Sequence, residues 1–144
     1  MRAAERRVEV TEESLLRGMA AVKPGAKAGA IGAAMQTDAE GGRGSVVRDL
    51  CGHGVGQLFH DAPNILHYGT VNEGVEIKEG MIFTIEPMIN LGKPVVKVLS
   101  DGWTAVTRDR SLTAQYEHTV GVTKDGCEIF TLSPKNVFGP PSMR

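Results

Sequence analysis

The stretch AQYEHTVGVTKDGCEIFTL, residues 114–132, decides the fold class that the sequence predicts. It holds two runs rich in β-branched residues, Ala114 to Thr123 and Cys127 to Leu132, on either side of the pair Asp125-Gly126. An Asp-Gly pair between two such runs is typical of a tight β-hairpin. This stretch is therefore predicted to form part of an antiparallel sheet.

The same strand signals recur earlier in the chain. Four further runs carry β-branched and aromatic residues: Ser45–Arg48, Met81–Glu86, Val95–Leu99 and Trp103–Thr107. Asp101-Gly102 lies between the last two runs and predicts a second hairpin.

Two helices are predicted ahead of the strands. In the first, from about Val8 to Lys23, the residues at helical spacing on one face are Leu15, Met19 and Val22. The second runs from about Lys27 to Glu40 and ends at a glycine-rich turn. The pattern predicts one α+β domain over residues 1–144, with two helices against a curved, mostly antiparallel sheet and a loose tail over 133–144.

Composition and charge exclude several classes of protein. Of the 144 residues, 41% are hydrophobic and 23% charged, which is typical of a globular domain. A net charge of −1 gives no electrostatic reason to expect nucleic acid as a partner. No apolar run has the length of a membrane span, and no hydrophobic signal core follows Met1. With only Cys51 and Cys127, the chain is predicted to be cytoplasmic, without a nucleic-acid or membrane partner.

The segment CGHGVGQLFH, residues 51–60, is the first candidate for a functional site. Glycines alternate with larger residues, which weakens a strand unless something approaches the backbone closely. His53 lies between two of these glycines, and His60 follows Phe59. Imidazole is a common ligand of transition metals. The alternative is a tight turn with two incidental histidines.

A carboxylate ends the apolar run MIFTIE, residues 81–86. Strand alternation places Ile82, Thr84 and Glu86 on one face, and Pro87 ends the regular pairing. Burying Glu86 there is costly unless a cation or hydrogen-bond donors meet it. The alternative is a glutamate at a strand end in solvent.

In the run from Ala114 to Thr123, alternation places Gln115, Glu117 and Thr119 on one face and His118 on the other. Glu117 is therefore the candidate ligand, His118 is assigned a supporting or structural role, and a solvated strand face is the alternative. One imidazole and two carboxylates, His53, Glu86 and Glu117, suit Mn, Fe, Co or Zn. Carboxylates can also bridge two metal ions that activate water for hydrolysis.

The order of these motifs resembles that of the bacterial type I methionine aminopeptidases. The resemblance rests on GHGVG at 52–56 with His60, FTIEPM at 83–88 and QYEHT at 115–119. It continues through SVVR at 45–48, DGWT at 101–104 and RDRSL at 108–112. The resemblance implies the C-terminal half of a pita-bread (creatinase/aminopeptidase) fold and a metal-dependent hydrolase that removes N-terminal methionine from nascent proteins.

The resemblance also implies a role for each matching residue. His53, Glu86 and Glu117 fall on ligands of divalent metal ions, two per complete site, with Glu117 at the bridging position. Glu86 is also implied to be catalytic as a proton shuttle. His60 is implied to be catalytic as a donor to the scissile carbonyl, and the implied substrate-binding residues are Phe59, His60 and Trp103.

The chain departs from the family pattern in one respect. The family uses two further aspartates on a preceding hairpin and an upstream histidine, and no residue here matches them. The sequence is thus expected to be the second half of such an enzyme, with little activity alone. Its expected partners are nascent polypeptide N-termini and either a missing N-terminal half or a second copy in a homodimer. The alternatives are an X-Pro dipeptidase-type pita-bread peptidase and a non-enzymatic pita-bread binding module.

Overall fold

The computed structural model of the chain describes residues 2–134. The helices are α1 (Arg2–Ala20) and α2 (Ala28–Gly41). The strands are β1 (Ser45–Val46), β2 (Gly52–Gly54), β3 (Asp61–Ile65), β4 (Ile82–Ile85), β5 (Met88–Asn90), β6 (Val96–Val98), β7 (Ala105–Thr107), β8 (Thr113–Gln115), β9 (His118–Val122) and β10 (Cys127–Ile129). Most of the tail predicted over 133–144 lies outside the described residues.

Both predicted helices are present, but the predicted start of the first was wrong. Helix α1 begins at Arg2 rather than near Val8, and it ends at Ala20 rather than near Lys23, so Val22 lies beyond it. The added turns contain Ala3, Ala4 and Glu5, which have high helix propensity but form no apolar pattern. Helix α2 agrees with the prediction within a residue at each end. Among the described residues, neither helix is long and apolar enough to cross a membrane.

Within residues 2–134 the strands form three antiparallel sheets. The largest has the order β10-β9-β4-β2-β3, a second has the order β1-β5-β8, and β6 pairs with β7. Both predicted hairpins are confirmed, because β6 pairs with β7 around Asp101-Gly102 and β9 pairs with β10 around Asp125-Gly126.

The run from Ala114 to Thr123 was predicted to be a single strand, and this prediction was wrong. The structure divides it into β8 and β9, which belong to different sheets. The break faces a second break, between β4 and β5, where Pro87 has no backbone N–H to donate. The register is the same on both sides, since Ile85 pairs with His118 and Met88 pairs with Gln115. Glu86 therefore lies opposite Glu117 at the junction of the two sheets.

The main core lies between the helices and the five-stranded sheet. It contains Leu15, Ile31 and Met35 from the helices and Phe83, Ile85 and Val120 from β4 and β9. Because Phe83 and Ile85 point toward the helices, Thr84 between them points to the opposite face of the sheet. The candidate site lies on that face.

Candidate metal centre

A cleft of about 830 Å³ lies beside this face of the sheet. Four of the residues singled out in the sequence line it: His53, His60, Glu86 and Trp103. Phe59 is adjacent, with its ring centroid 5.5 Å from that of His53 and 4.7 Å from that of His60. The structure thus brings together side chains that are up to 50 positions apart in the sequence (53 to 103).

The glycines on either side of His53 are required by neighbouring strands. A Cβ atom on Gly52 would collide with the carbonyl oxygen of Thr84, and one on Gly54 would collide with that of Ala62. Close approach of the backbone was the expected reason for these glycines, and it is confirmed. The histidine that they flank is 9% exposed rather than open to solvent.

The hydrogen bonds of His53 determine which ring nitrogen faces the cleft. Its Nδ1 lies 2.9 Å from the carbonyl oxygen of Gly54. A carbonyl oxygen only accepts, so in the neutral ring Nδ1 carries the proton and Nε2 presents a lone pair. That Nε2 lies 3.8 Å from Oε1 of Glu86. Histidines that bind metal ions commonly donate their other ring N–H to a carbonyl in this way.

Thr84 links the two candidate ligands. Its hydroxyl oxygen accepts a hydrogen bond from the backbone N–H of His53 at 2.9 Å. The same hydroxyl donates to Oε1 of Glu86 at 2.8 Å. Thr84 is 1% exposed, so these bonds are shielded from water. The sequence placed Thr84 on the face of Glu86, but nothing in it indicated this double role.

His67 is a residue of the site that sequence reasoning missed. Its ring is fully buried, and its Nε2 accepts a hydrogen bond from the backbone N–H of Glu86 at 3.3 Å. In the neutral ring Nδ1 therefore carries the proton, and this group has no hydrogen-bond partner within residues 2–134. Burial lowers the pKa of His67 to about 4, so the ring is neutral at physiological pH. No spacing or motif in the sequence identifies this histidine as a support for Glu86.

Opposing effects act on the carboxyl group of Glu86. Burial is the largest, and it raises the pKa of Glu86 above its usual value. The hydrogen bond from Thr84 lowers that pKa, the charge of Glu117 raises it, and the charges of His53 and His60 lower it. Glu86 is thus a partly buried carboxylate that faces another carboxylate, an arrangement that a cation would stabilise.

The structure does not gather all the predicted ligands into one cluster. Glu117 is exposed, and over residues 2–134 no group of three His, Cys, Asp or Glu side chains is placed to hold a metal ion. His118 is directed elsewhere, with its Nδ1 2.9 Å from the hydroxyl oxygen of Thr131. This contact is consistent with the structural role predicted for His118.

The residues present nevertheless fit a divalent cation. The 3.8 Å between Nε2 of His53 and Oε1 of Glu86 is within the span of two metal–ligand bonds; each such bond is about 2.1 Å long. The imidazole nitrogen of His53, with its free lone pair, and the carboxylate of Glu86 are donor types that suit Mn, Fe, Co or Zn, and Glu117 lies opposite Glu86 in the register.

Comparison with known proteins identifies the family. The profile of the family described as metallopeptidase family M24 matches residues 2–124. The chain belongs to this family. A methionine aminopeptidase of Rickettsia prowazekii is 55% identical to this M24 chain over 138 residues, which are 95% of the chain and 53% of the relative.

Solved structures agree with this assignment. The crystal structure of the methionine aminopeptidase from Rickettsia prowazekii has a TM-score of 0.90 and 53% identity, covering 92% of the M24 chain and 54% of that protein. Prolidase from Pyrococcus furiosus has a TM-score of 0.67 and 28% identity, covering 90% of the M24 chain and 32% of that protein. The predicted α+β, pita-bread fold class is confirmed, and the chain spans about half the length of the curated relatives it matches.

Proposed function

We propose that this chain carries part of the active site of a cytoplasmic, metal-dependent aminopeptidase that removes N-terminal methionine from nascent proteins. His53, Glu86 and Glu117 are the proposed metal ligands. His60 and Glu86 are the proposed catalytic residues, and Phe59, His60 and Trp103 bind the substrate. The relatives that match most of the chain are methionine aminopeptidases, which supports this choice of substrate.

The observation that carries the proposal is the junction between the two larger sheets. The register places Glu86 opposite Glu117, and Nε2 of His53 faces Oε1 of Glu86 from the neighbouring strand. Like charges placed directly opposite each other across two strands destabilise a sheet. A cation bound between the carboxylates removes that repulsion. The two opposed carboxylates are therefore favourable in a metal site, whereas they would only destabilise a purely structural sheet.

The position of each side chain in the cleft supports a specific role in peptide hydrolysis. Divalent metal ions supply Lewis acidity and lower the pKa of water. Glu86 accepts the proton of the attacking water and transfers it to the departing amine. His60 lies at the cleft beside His53, with ring centroids 4.3 Å apart, and donates a hydrogen bond to the oxygen of the scissile carbonyl. Phe59 and Trp103 supply the aromatic surface that suits a methionine thioether.

A second polypeptide is part of the proposal. Trp103 is 87% exposed and Phe59 is 70% exposed, although both are assigned to a substrate pocket. Side chains so exposed do not enclose a substrate by themselves. We propose that either a separate N-terminal half or a second copy of this chain covers them and contributes the remaining ligands.

Complementation tests this proposal. The chain is mixed with the segment of the Rickettsia prowazekii relative that it does not match, and release of methionine from a Met-Gly-type peptide is measured with Mn or Co present. We expect turnover that Glu86→Gln abolishes and that Glu128→Gln, an exposed glutamate on β10, leaves unchanged. A complex that forms but is inactive, or one in which Glu86→Gln is fully active, contradicts the proposal. Cleavage of an X-Pro dipeptide instead would favour the dipeptidase alternative.

A further inference from the structure

A cluster of three arginines lies between the start of α1 and the turn after α2. Arg7 is 2% exposed, and its Nε and Nη1 have no hydrogen-bond partner in the described part of the chain. The hydroxyl of Thr11 bonds only to the main-chain carbonyl of Arg7. Arginine does not lose its proton in proteins, so Arg7 is a buried charge with no counter-charge among residues 2–134.

Arg7 lines a cavity of about 300 Å³ together with two more arginines. Arg6 and Arg43 contribute the other guanidinium groups, and Gly41, Gly42 and Leu91 complete most of the wall. Burial first, and then the charge of Arg6, lower the pKa of Arg7, which shows that the two cations lie near each other. Three like charges around one small cavity repel each other unless an anion is bound there.

Several groups of the protein near this cavity already have partners. Arg6 pairs with Glu9 at 3.7 Å, but both side chains are 67% exposed, which makes the pair weak. The carbonyl oxygens of residues 38, 39 and 40, at the end of α2, accept hydrogen bonds from the backbone N–H groups of residues 42, 44 and 43 respectively. Over residues 2–134, no ion pair is formed by Arg7 or Arg43.

We propose that Arg6, Arg7 and Arg43 form a binding site for a phosphate group, either free phosphate or a phosphate monoester. Guanidinium groups bind phosphate through paired N–H donors, and phosphate offers enough oxygens for several arginines at once. Arg7 forms the buried floor of the site, whereas Arg43 is exposed and reaches it from the turn after α2. The site is separate from the metal centre, since none of its lining residues lines the metal-site cleft.

Thermal unfolding of the complete chain with inorganic phosphate tests the site. Phosphate is titrated at constant pH, with chloride replacing it to hold the ionic strength constant. We expect Tm to rise saturably with phosphate, because a ligand that binds only the folded state stabilises it. Arg7→Met should remove this rise while leaving the phosphate-free Tm equal or higher, because it removes an unpaired buried charge.

Two further variants keep the test decisive if Arg7→Met folds poorly. Arg43→Gln changes an exposed residue and should weaken phosphate binding about tenfold, with little change in the phosphate-free Tm. Arg17→Met is the matched control, since Arg17 lies on the same helix but pairs with Glu13 at 2.7 Å, and it should respond to phosphate like the unmodified chain.

The source of the phosphate group is identified by comparing inorganic phosphate with a nucleoside monophosphate and phosphoserine under the same conditions. Tighter binding of an ester supports a monoester ligand, and equal binding supports free phosphate. The proposal is overturned if phosphate raises Tm no more than chloride or acetate does. It is also overturned if Arg7→Met and Arg43→Gln both respond like Arg17→Met.

Discussion

Two regions of the cleft are held in different ways. We call the buried or partly buried, hydrogen-bonded residues at its base the cleft floor: His53, His67, Thr84 and Glu86. We call the exposed residues in and beside it the cleft rim: Phe59, His60, Trp103 and Glu117. On the floor, the hydroxyl of Thr84 and the ring of His67 both bond to Glu86. On the rim, Trp103 lies in the loop of the small two-stranded sheet and is 87% exposed.

This difference shows which part of the cleft the chain holds in place through its own contacts. Strands that pair on both sides fix His53 and Thr84, because β2 lies between β4 and β3 and β4 lies between β9 and β2. Hydrogen bonds from Thr84 and to His67 hold Glu86. The rim residues lie on a loop, a hairpin tip and a strand break, where few contacts restrain them. The floor is therefore expected to bind metal in this chain, and the rim is expected to position a substrate only when further protein covers it.

The largest expected effect concerns turnover by the isolated chain. With Mn or Co present, methionine release from a Met-Gly-type peptide should be more than about a hundredfold slower than with the full-length Rickettsia prowazekii relative. The reason is that the exposed rim does not enclose the substrate, and that this chain supplies only three candidate ligands for a site of two metal ions. Turnover close to that of the relative would remove the distinction between floor and rim.

The second-largest expected effect distinguishes the roles of His60 and Glu117 in the rim. In the complemented protein, His60→Ala should lower kcat about a hundredfold and leave the metal content nearly unchanged, because His60 is proposed to act on the substrate oxygen and not to bind metal. Glu117→Ala should instead reduce the bound metal, which elemental analysis measures. The opposite pattern would exchange the assigned roles of these two residues.

The pH dependence of stability tests the floor. The pKa of His67 is about 4 in the folded chain, against 6.5 for an unperturbed histidine. Between pH 4 and pH 6.5 the unfolded state binds more protons than the folded state. The free energy of unfolding therefore falls as the pH drops from 6.5 toward 4, and His67 causes no further loss below pH 4. The contribution amounts to about 3 kcal/mol.

Chemical denaturation of the unmodified chain and of His67→Leu, between pH 7 and pH 4, measures this contribution. The variant should lose less stability on acidification, since its side chain does not titrate. Parallel curves for the two proteins would show that folding does not lower the pKa of His67, which would contradict a buried, neutral ring that accepts a bond from the backbone N–H of Glu86.

The smallest expected effect concerns the link between the two floor ligands. Thr84→Val keeps the shape of the side chain but removes the hydroxyl that accepts from His53 and donates to Glu86. We expect about tenfold weaker binding of Mn by calorimetry. Thr84→Ser should restore most of the affinity.

Thr11→Val is the control for this measurement, because Thr11 is also fully buried but bonds to a carbonyl in α1. If both valine variants bind Mn equally well, Thr84 does not orient the ligands.

Patterns that repeat within a few residues could be predicted from the sequence. The Asp-Gly pairs identified both hairpins, and the helical spacing of Leu15 and Met19 identified α1, although Val22, which shared the pattern, lies beyond its end. The start of α1 was wrong because residues 2–6 carry helix propensity without an apolar face. The run from Ala114 to Thr123 was read as one strand because the break at Glu117 depends on Pro87, about 30 positions earlier in the chain.

The sequence by itself determined the chemical types available at the site: one imidazole between glycines, one carboxylate before a proline and another in a strand-like run. Their order also identified the family, which the comparisons then showed. These are local properties, and the side chains carry them whatever the rest of the chain does.

The relative positions of these side chains depend on the tertiary structure. Shared register across two sheets places Glu86 opposite Glu117, and strand pairing places Thr84 between His53 and Glu86. It also buries His67 against the backbone of Glu86 and leaves the charge of Arg7 without a partner among the described residues. Such contacts join positions that are far apart in the sequence, so their geometry depends on long-range packing and register, which no local pattern specifies.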